Sequence, residues 1–267
     1  MLDANAVRSA AERLHTAEQT RKPLRQLTLE YPGMTMDDVY AVQNAWMQIK
    51  ISEGRVIKGR KIGLTSRAMQ AAVNINEPDY GVLLDDMFYP TGGEIPADRF
   101  IAPRVEAELA FVLGKPLKGP GCTIFDVFAA TDFVVPALEI LDARIQRIDL
   151  ETKATRKVLD TISDNAGNAA LVLGGEPFNP LGADMRWISA LCFRNAQIEE
   201  SGVAAAVLNH PANGIVWLAN KLARHGVFLE PGQVILSGSF IRPVEARKGD
   251  TFHAEYSSCG SVSCYFS

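Results

Sequence analysis

Two glutamates that stand two residues apart in an otherwise apolar stretch are the first candidates for chemistry. They are Glu106 and Glu108, in "PRVEAELAFVLG" (103–114). A β-strand projects alternate side chains to opposite faces, so both carboxylates are predicted to lie on one face. Burial of like charges is costly unless they are paired or bound to a metal. For an isolated pair the alternative is an edge strand with one solvated face, but Ala110 and Val112 continue this face with apolar side chains.

A third carboxylate, Glu139, lies in "VVPALEILD", which is a second strand-like apolar run. A buried ion pair with an arginine such as Arg144 would explain it equally well. Three carboxylates in a dry site would raise one another's pKa, and a divalent cation removes that cost. Because no histidine or cysteine accompanies them, the carboxylates favour Mg²⁺ or Mn²⁺ over zinc. The three glutamates together therefore predict a magnesium or manganese site.

Lys61, in "KGRKIGLTS" (58–66), is a candidate for proton transfer. Its neighbours on the same strand face would be small or apolar, and burial there would lower the pKa of the lysine. A solvated surface lysine is the alternative. Asp79, between Pro78 and Tyr80, has the composition of a turn. The turns predicted at "TISDNAG" (161–167) and "LSGSF" (236–240) carry hydroxyls and free N–H groups that can hold a carboxylate.

The elements that must position these residues fall into two groups. Residues 1–55 are predicted to be helical, with apolar residues at helical spacing in 4–18 and Thr35 as the N-cap of a second helix that Gly54 ends. Residues 56–267 contain short apolar runs separated by turn residues, which predict strands, and one amphipathic helix in 210–226. We expect an α+β protein with a helical N-terminal section and a mixed β catalytic core in one continuous domain.

The bulk composition excludes several classes of partner. The chain of 267 residues has a net charge of −4 and shows no basic cluster, so nucleic acid is not an expected partner. No apolar run is long enough to span a bilayer, and the N-terminus has no apolar core of a secretory signal. The four cysteines form no CxxC pair, which favours reduced thiols over a zinc site or disulfides. We expect a cytoplasmic protein with no membrane partner.

Seven segments in order resemble the hydratase/decarboxylase branch of the fumarylacetoacetate hydrolase superfamily, from about residue 30 to the C-terminus. They are "GRKIGLTS", "DYGVLLDDM", "PRVEAELAFVLG", "PALEILDAR", "SDNAGNAALVLGG", "HPANGIVWLANKLA" and "GQVILSGS". The resemblance implies a mixed β-roll or barrel-like core, a Mg²⁺ or Mn²⁺ ion and a homo-oligomer. It also assigns roles to eight positions: metal ligands at Glu106, Glu108 and Glu139, catalytic groups at Lys61 and Asp79, and substrate contacts at Ser163, Ser239 and Leu83.

The function that the resemblance implies is the metal-dependent addition of water to a 2-hydroxydienoate or its 2-oxo tautomer, in the breakdown of aromatic compounds. A seven-carbon diacid is the expected substrate, and a five-carbon monoacid is the alternative. A decarboxylase of the same branch is a rival enzyme. A carbon–carbon hydrolase of the wider superfamily is disfavoured, because no histidine here stands in a suitable motif. A non-enzymatic acid-binding or structural protein, with carboxylates in buried ion pairs, is the remaining alternative.

Overall fold

The computed structural model describes residues 1–267, and its N-terminal section is helical as predicted. Helices α1, α2 and α3 are Ala4–Thr20, Leu27–Glu30 and Met36–Ser52. The Thr35 hydroxyl accepts a hydrogen bond from the Asp38 N–H, and the Asp38 carboxylate accepts one from the Thr35 N–H. This capping box fixes the start of α3. The helix ends at Ser52, two residues before the predicted glycine.

The larger sheet contains eight strands in the order β2-β1-β10-β5-β6-β7-β3, with β11 also paired to β5. The β1–β10 and β3–β7 pairs are parallel and the others are antiparallel, so the sheet is mixed. Its strands are β1 (Ile57–Gly63), β2 (Asp79–Leu84), β3 (Phe88–Pro90), β5 (Arg104–Leu113), β6 (Thr131–Leu141), β7 (Asn168–Leu173), β10 (Val234–Leu236) and β11 (Val244–Glu245).

The smaller sheet contains five strands in the order β4-β13-β12-β8-β9. They are β4 (Gly93–Ile95), β8 (Ser189–Arg194), β9 (Gln197–Val203), β12 (Thr251–Tyr256) and β13 (Gly260–Phe266). The remaining helices are α4 (Arg67–Ala72), α5 (Ile124–Ala130), α6 (Val158–Ser163) and α7 (Pro211–Ala223). The α+β class and the mixed core are confirmed. Both sheets stay open at their edge strands, so the core contains no closed barrel.

Strand β5 separates two hydrophobic cores. Its odd-numbered residues, such as Leu109 and Phe111, lie in a core that also contains residues of α7 and of the smaller sheet. Ala110, on the glutamate face, lies in a second core with Leu14 of α1 and Trp46 of α3. The N-terminal helices therefore cover the face of the sheet that carries the glutamates. The division of the chain at residue 55 stays a prediction, since this second core contains residues from both sides of it.

Two predictions from composition can be compared with the structure. All four cysteines are free and buried. Among the helices, none combines the length and the apolar character needed to cross a membrane.

Candidate metal centre and active site

The pairing of β5 with β6 brings the three glutamates together. Glu106 lies directly opposite Glu139 in the antiparallel ladder, and Glu108 follows two residues later on the same face. One carboxylate oxygen from each of the three lies within 4.8 Å of the others. Glu139 and Glu108 are 0% and 1% exposed, and Glu106 is half-buried. The solvated edge strand is therefore wrong, because β5 is an interior strand whose glutamate face is covered.

Hydrogen bonds orient the carboxylates and leave oxygens free. The Gly238 N–H donates to Glu108 Oε2 at 2.8 Å, and Asn168 Nδ2 donates to Glu139 Oε1 at 2.9 Å. Glu139 Oε2 is buried and accepts no hydrogen bond. Three hard oxygen donors with an unsatisfied buried oxygen are a donor set that suits Mg²⁺ or Mn²⁺.

The pKa shifts of the glutamates also favour a metal site. Burial, followed by the charge of Glu139, raises the pKa of Glu106 to about 8 and raises the pKa of Glu108 well above its ordinary value. Carboxylates at such a site bind protons at neutral pH unless a cation replaces them. The raised pKa values of these glutamates therefore favour the exchange of bound protons for a metal ion.

The alternative that Glu139 pairs with Arg144 is wrong. Arg144 follows the end of β6, and its Nε lies 2.6 Å from Asp164 Oδ1, with both side chains fully buried. The Arg144 backbone N–H donates to the same carboxylate at 2.9 Å. Glu139, two residues before the end of the strand, faces Lys61 instead.

Lys61 is buried beside the glutamates, so the surface alternative is wrong. Its Nζ donates to the Ala166 carbonyl at 3.0 Å and lies 3.3 Å from Glu139 Oε1. The predicted fall in pKa is also wrong. Burial is the largest single effect and lowers the pKa of Lys61, but the summed charges of Glu139, Asp79, Glu106 and Glu108 raise it overall. Lys61 therefore stays protonated in the metal-free site.

Asp79 shares the space around the lysine ammonium. It is the first residue of β2, lies opposite Gly63 in β1, and is 2% exposed. A Cβ atom at Gly63 would lie 2.2 Å from Asp79 Oδ1 and 3.2 Å from Lys61 Nζ, so only glycine leaves room for both groups. Asp79 Oδ1 has no hydrogen-bond partner. Burial raises the pKa of Asp79 to about 6 against the opposing charge of Lys61.

The three expected substrate contacts lie in different surroundings. Ser239 Oγ donates to the Ile241 carbonyl at 2.9 Å and lies 3.4 Å from the carbonyl of Ala107, the residue between the two β5 glutamates. Ser163 ends helix α6 rather than forming the predicted turn, and its Oγ donates to the Leu159 carbonyl at 3.0 Å. Leu83 is fully buried in the second core. Their roles toward substrate stay predictions.

A four-residue segment holds the site together: Asn165 to Asn168, which we call the 165–168 segment. The sequence predicted a turn over 161–167 but not the contacts that this segment makes. Asn165 exchanges two hydrogen bonds with the Val82 backbone of β2, at 2.7 and 2.9 Å. The Ala166 carbonyl accepts from Lys61, and Asn168 donates to Glu139. The signal was present as the asparagines of "SDNAGN", but such residues are also ordinary turn formers.

Backbone geometry explains how this segment contacts three elements. Asn165, Ala166 and Gly167 have φ values of 53°, 51° and 75°, all in the left-handed region. This conformation is uncommon for residues other than glycine and costs energy at Ala166. It coils the chain tightly, so that Asn165, Ala166 and Asn168 reach β2, Lys61 and Glu139 respectively.

Comparisons with known proteins give full-length matches. No family model matches the chain. The sequence is 62% identical to 2-oxo-hept-4-ene-1,7-dioate hydratase of Escherichia coli, over 100% of both chains. It is 40% identical to 2-keto-4-pentenoate hydratase of Paraburkholderia xenovorans over 96% of this chain and 93% of the relative. It is also 35% identical to 4-oxalocrotonate decarboxylase of a Pseudomonas species over 99% and 98%.

Solved structures agree with these sequence matches. The fold superposes on 4-oxalocrotonate decarboxylase from Pseudomonas putida G7, complexed with magnesium and adipate, with a TM-score of 0.94. The two sequences are 34% identical over 100% of this chain and 99% of that one. Fumarylpyruvate hydrolase from Pseudomonas aeruginosa, with Mn²⁺ and pyruvate, matches with a TM-score of 0.59 at 14% identity, over 79% of this chain and 89% of that one. This second likeness concerns the fold alone.

Proposed function

We propose, because the chain belongs to the hydratase/decarboxylase branch of the fumarylacetoacetate hydrolase superfamily, that it is a metal-dependent hydratase of aromatic catabolism. The reaction is hydration of 2-oxo-hept-4-ene-1,7-dioate to 4-hydroxy-2-oxo-heptane-1,7-dioate, in the breakdown of 4-hydroxyphenylacetate through homoprotocatechuate. The observation that carries this assignment is the 62% identity to a hydratase of that substrate over the whole of both chains.

Glu106, Glu108 and Glu139 would hold the metal, which we take to be Mg²⁺ or Mn²⁺. Their clustering within 4.8 Å and the free Oε2 of Glu139 support this role. A divalent cation at these carboxylates would act as a Lewis acid for the negative charge that develops on the 2-oxygen of the substrate. The like-charge glutamates supply the compensating negative charge, and the N–H of Gly238 and the amide of Asn168 keep two of the carboxylates oriented.

Lys61 and Asp79 would move the proton during ketonisation of the dienol. The Ala166 carbonyl takes one N–H of the ammonium, which leaves the other two to donate elsewhere. In ketonisation the 2-hydroxyl loses a proton and C5 of the chain gains one. The buried Oδ1 of Asp79, which has no hydrogen-bond partner, supports Asp79 as a proton acceptor beside the lysine. The burial of both groups excludes bulk water from this transfer. Water then adds at C4, once the double bond is conjugated with the ketone.

The test is an ultraviolet assay of dienol consumption with Mg²⁺, using 2-hydroxydienoates of five and seven carbons, with products identified by mass. We expect the seven-carbon diacid to gain one water and to have the higher kcat/KM. Release of CO₂ without water addition would replace the hydratase by a decarboxylase, which the 35% relative makes the second candidate. Full activity after EDTA treatment would contradict the metal role.

The assembly is also a proposal. Several large apolar side chains are exposed, which supports a homo-oligomer: Phe125 is 77% exposed, Leu181 75% and Trp187 72%. Light scattering that gives a monomer of 29.1 kDa at micromolar concentration would contradict it. Four free cysteines support a cytoplasmic location, where thiols stay reduced.

A further inference from the structure

Three half-buried arginines lie near the start of β5, the strand that carries Glu106 and Glu108, and the proposed reaction does not yet use them. They are Arg104, Arg147 and Arg156, which we call the arginine group. Strand alternation puts Arg104 on the same face as the glutamates, two residues before Glu106. Glu106 is the least buried of the three glutamates, so the site is more open on this side.

Two backbone contacts bring the other members to the same place. Arg147 Nη2 donates to the carbonyl of Ala102 at 2.9 Å, just before β5 begins. The Arg156 backbone N–H donates to the Arg147 carbonyl at 2.8 Å, next to an antiparallel bridge between Ile148 and Thr155. Residues opposite one another in such a ladder project to the same side. All three arginines therefore converge at the start of β5.

The guanidinium groups are poorly satisfied. Each has five N–H donors, yet each makes a single side-chain hydrogen bond. Those bonds are 3.4 Å for Arg104, 2.9 Å for Arg147 and 3.5 Å for Arg156. Arg104 Nε is buried without any partner. Burial and the charges of Arg104 and Arg156 lower the pKa of Arg147 to about 10. Three guanidinium groups with unused N–H donors form a site that is suited to binding an anion.

Nearby carboxylates do not fill this role. Asp142 already accepts hydrogen bonds from the N–H groups of Ile101 and Ala102. Asp164 is held by Arg144 and reaches Arg156 only at 3.5 Å. Glu245 is 56% exposed and its contact with Arg104 is long. The free donors are therefore available to a ligand.

We propose that the arginine group binds the distal carboxylate of a dicarboxylic substrate whose 2-oxo-acid end lies at the three glutamates. The proposal rests on the proposed function. Two residues of strand separate Arg104 from Glu106 by about 6.7 Å. Five carbon–carbon bonds of about 1.5 Å, from C2 to C7, span roughly 6 Å. A seven-carbon diacid can therefore reach both places, and arginine forks match a carboxylate.

Arg60 is the rival cation, since its Nε is also buried without a partner. It follows Gly59 and precedes Lys61 in β1, so its side chain lies on the opposite face from the lysine. Burial lowers the pKa of Arg60, and the charge that opposes this fall is that of Tyr80 rather than that of the glutamates. The geometry therefore assigns the distal carboxylate to the arginine group.

The experiment compares Arg147→Gln, Arg147→Lys and Arg60→Gln with wild type. Arg13→Gln is the matched control, because Arg13 is half-buried like Arg147 but pairs with Glu30 on the helical section. KM and kcat are measured with Mg²⁺ for the seven-carbon dienol diacid and for the five-carbon monoacid. Binding of adipate and of hexanoate to the Mg²⁺-loaded proteins is measured by calorimetry, which does not require turnover.

For Arg147→Gln we expect KM for the diacid to rise about 10- to 100-fold, as for loss of a charge-assisted hydrogen bond, with little change in kcat. The monoacid KM should not change, adipate should bind correspondingly more weakly, and Arg147→Lys should recover part of the loss. Equal effects on diacid and monoacid, no effect on adipate, or selective loss in Arg60→Gln would overturn the proposal. If wild type hydrates neither dienol but adipate binding still depends on Arg147, the proposed function fails and the subsite stands.

Discussion

At the residue scale, the metal site depends on negative charge that costs stability when no ion is bound. Glu106 is the glutamate for which the fewest internal contacts compensate, since Glu108 and Glu139 each accept a hydrogen bond from a neighbouring N–H group. Replacing Glu106 by glutamine therefore removes one negative charge while the shape of the site stays nearly the same.

We predict that Glu106→Gln weakens Mg²⁺ binding by more than the roughly 10- to 100-fold typical of losing an outer hydrogen-bond partner. The metal-free variant should melt at a higher temperature than metal-free wild type, because one of three repelling carboxylates is gone. Calorimetric titration and thermal melts measure the two effects. Glu94→Gln, on an exposed position of β4, is the control. Unchanged affinity would remove Glu106 from the ligand set.

Lys61→Ala tests the proton-transfer role. We expect kcat to fall by roughly 10²–10⁴-fold, the range for loss of a general acid or base. Metal affinity should hold or rise, because a cation next to Glu139 has been removed. Lys58→Ala, an exposed lysine on the same strand, should behave as wild type. Near wild-type turnover of Lys61→Ala would exclude it from the chemistry.

The same scale shows which site properties the sequence could predict. Strand alternation was enough to bring Glu106 and Glu108 to one face, because side-chain direction depends only on the strand period. The sign of the pKa shift at Lys61 was predicted wrongly, because burial was visible in the sequence but four converging carboxylates were not. The partner of Glu139 depended in the same way on tertiary contacts.

At the element scale, the 165–168 segment contacts three parts of the site: β2, Lys61 and Glu139. Asn165 acts as a short substitute for a strand partner, since its amide pairs with both the N–H and the carbonyl of Val82. Through β2 this fixes Asp79, and through Ala166 it fixes Lys61. One piece of chain thus positions both the proposed proton-transfer groups and a proposed metal ligand.

Asn165→Ala should therefore destabilise the protein by about 2–6 kcal/mol, because two buried backbone groups are left unsatisfied at a cost of about 1–3 kcal/mol each. Urea unfolding measures the change. Asn179→Ala, an exposed turn residue whose side chain accepts from the Leu181 N–H, is the control and should cost less than about 1 kcal/mol. Equal losses in the two variants would show that the Val82 contacts carry no special stability.

Elements with a strong pattern were predictable, and short polar ones were not. The strands and the helix of 210–226 were confirmed, with His210 as its N-cap, because apolar periodicity decides them. Ser163 was assigned to a turn but ends α6. In such segments asparagine, serine and glycine fit several backbone conformations, and only contacts with β2 and Lys61 select one.

At the scale of the whole molecule, the N-terminal helices close the glutamate face of the sheet, as the core shared by Leu14, Trp46 and Ala110 shows. Covering this face keeps the carboxylates dry. The free energy of unfolding of the metal-free protein should therefore depend on pH, because these buried carboxylates have raised pKa values.

We predict that metal-free protein loses stability as the pH rises from about 5 to 8. The pKa of Asp79 is about 6 and that of Glu106 about 8, so in this window the folded state binds more protons than the unfolded state, and stability must fall with pH. Saturating Mg²⁺ should raise the melting temperature more at pH 8 than at pH 6, because the ion binds ionised carboxylates.

Thermal melts at several pH values, with EDTA or with Mg²⁺, measure this effect. Glu106→Gln should show a shallower slope without metal, since it removes one of the titrating groups. A metal-free melting temperature that rises through this window would contradict the assignment.

The position of Glu106 directly opposite Glu139 also bears on how the chain avoids misfolding. A slip of one residue between β5 and β6 would turn one strand over and drive charged side chains into the apolar core that holds Leu109 and Phe111. The same carboxylates that are proposed to bind the ion thus disfavour the wrong pairing. The cost of burying these charges in the apolar core therefore favours the native register of β5 and β6, so the residues proposed for the metal site also help to select the correct sheet during folding.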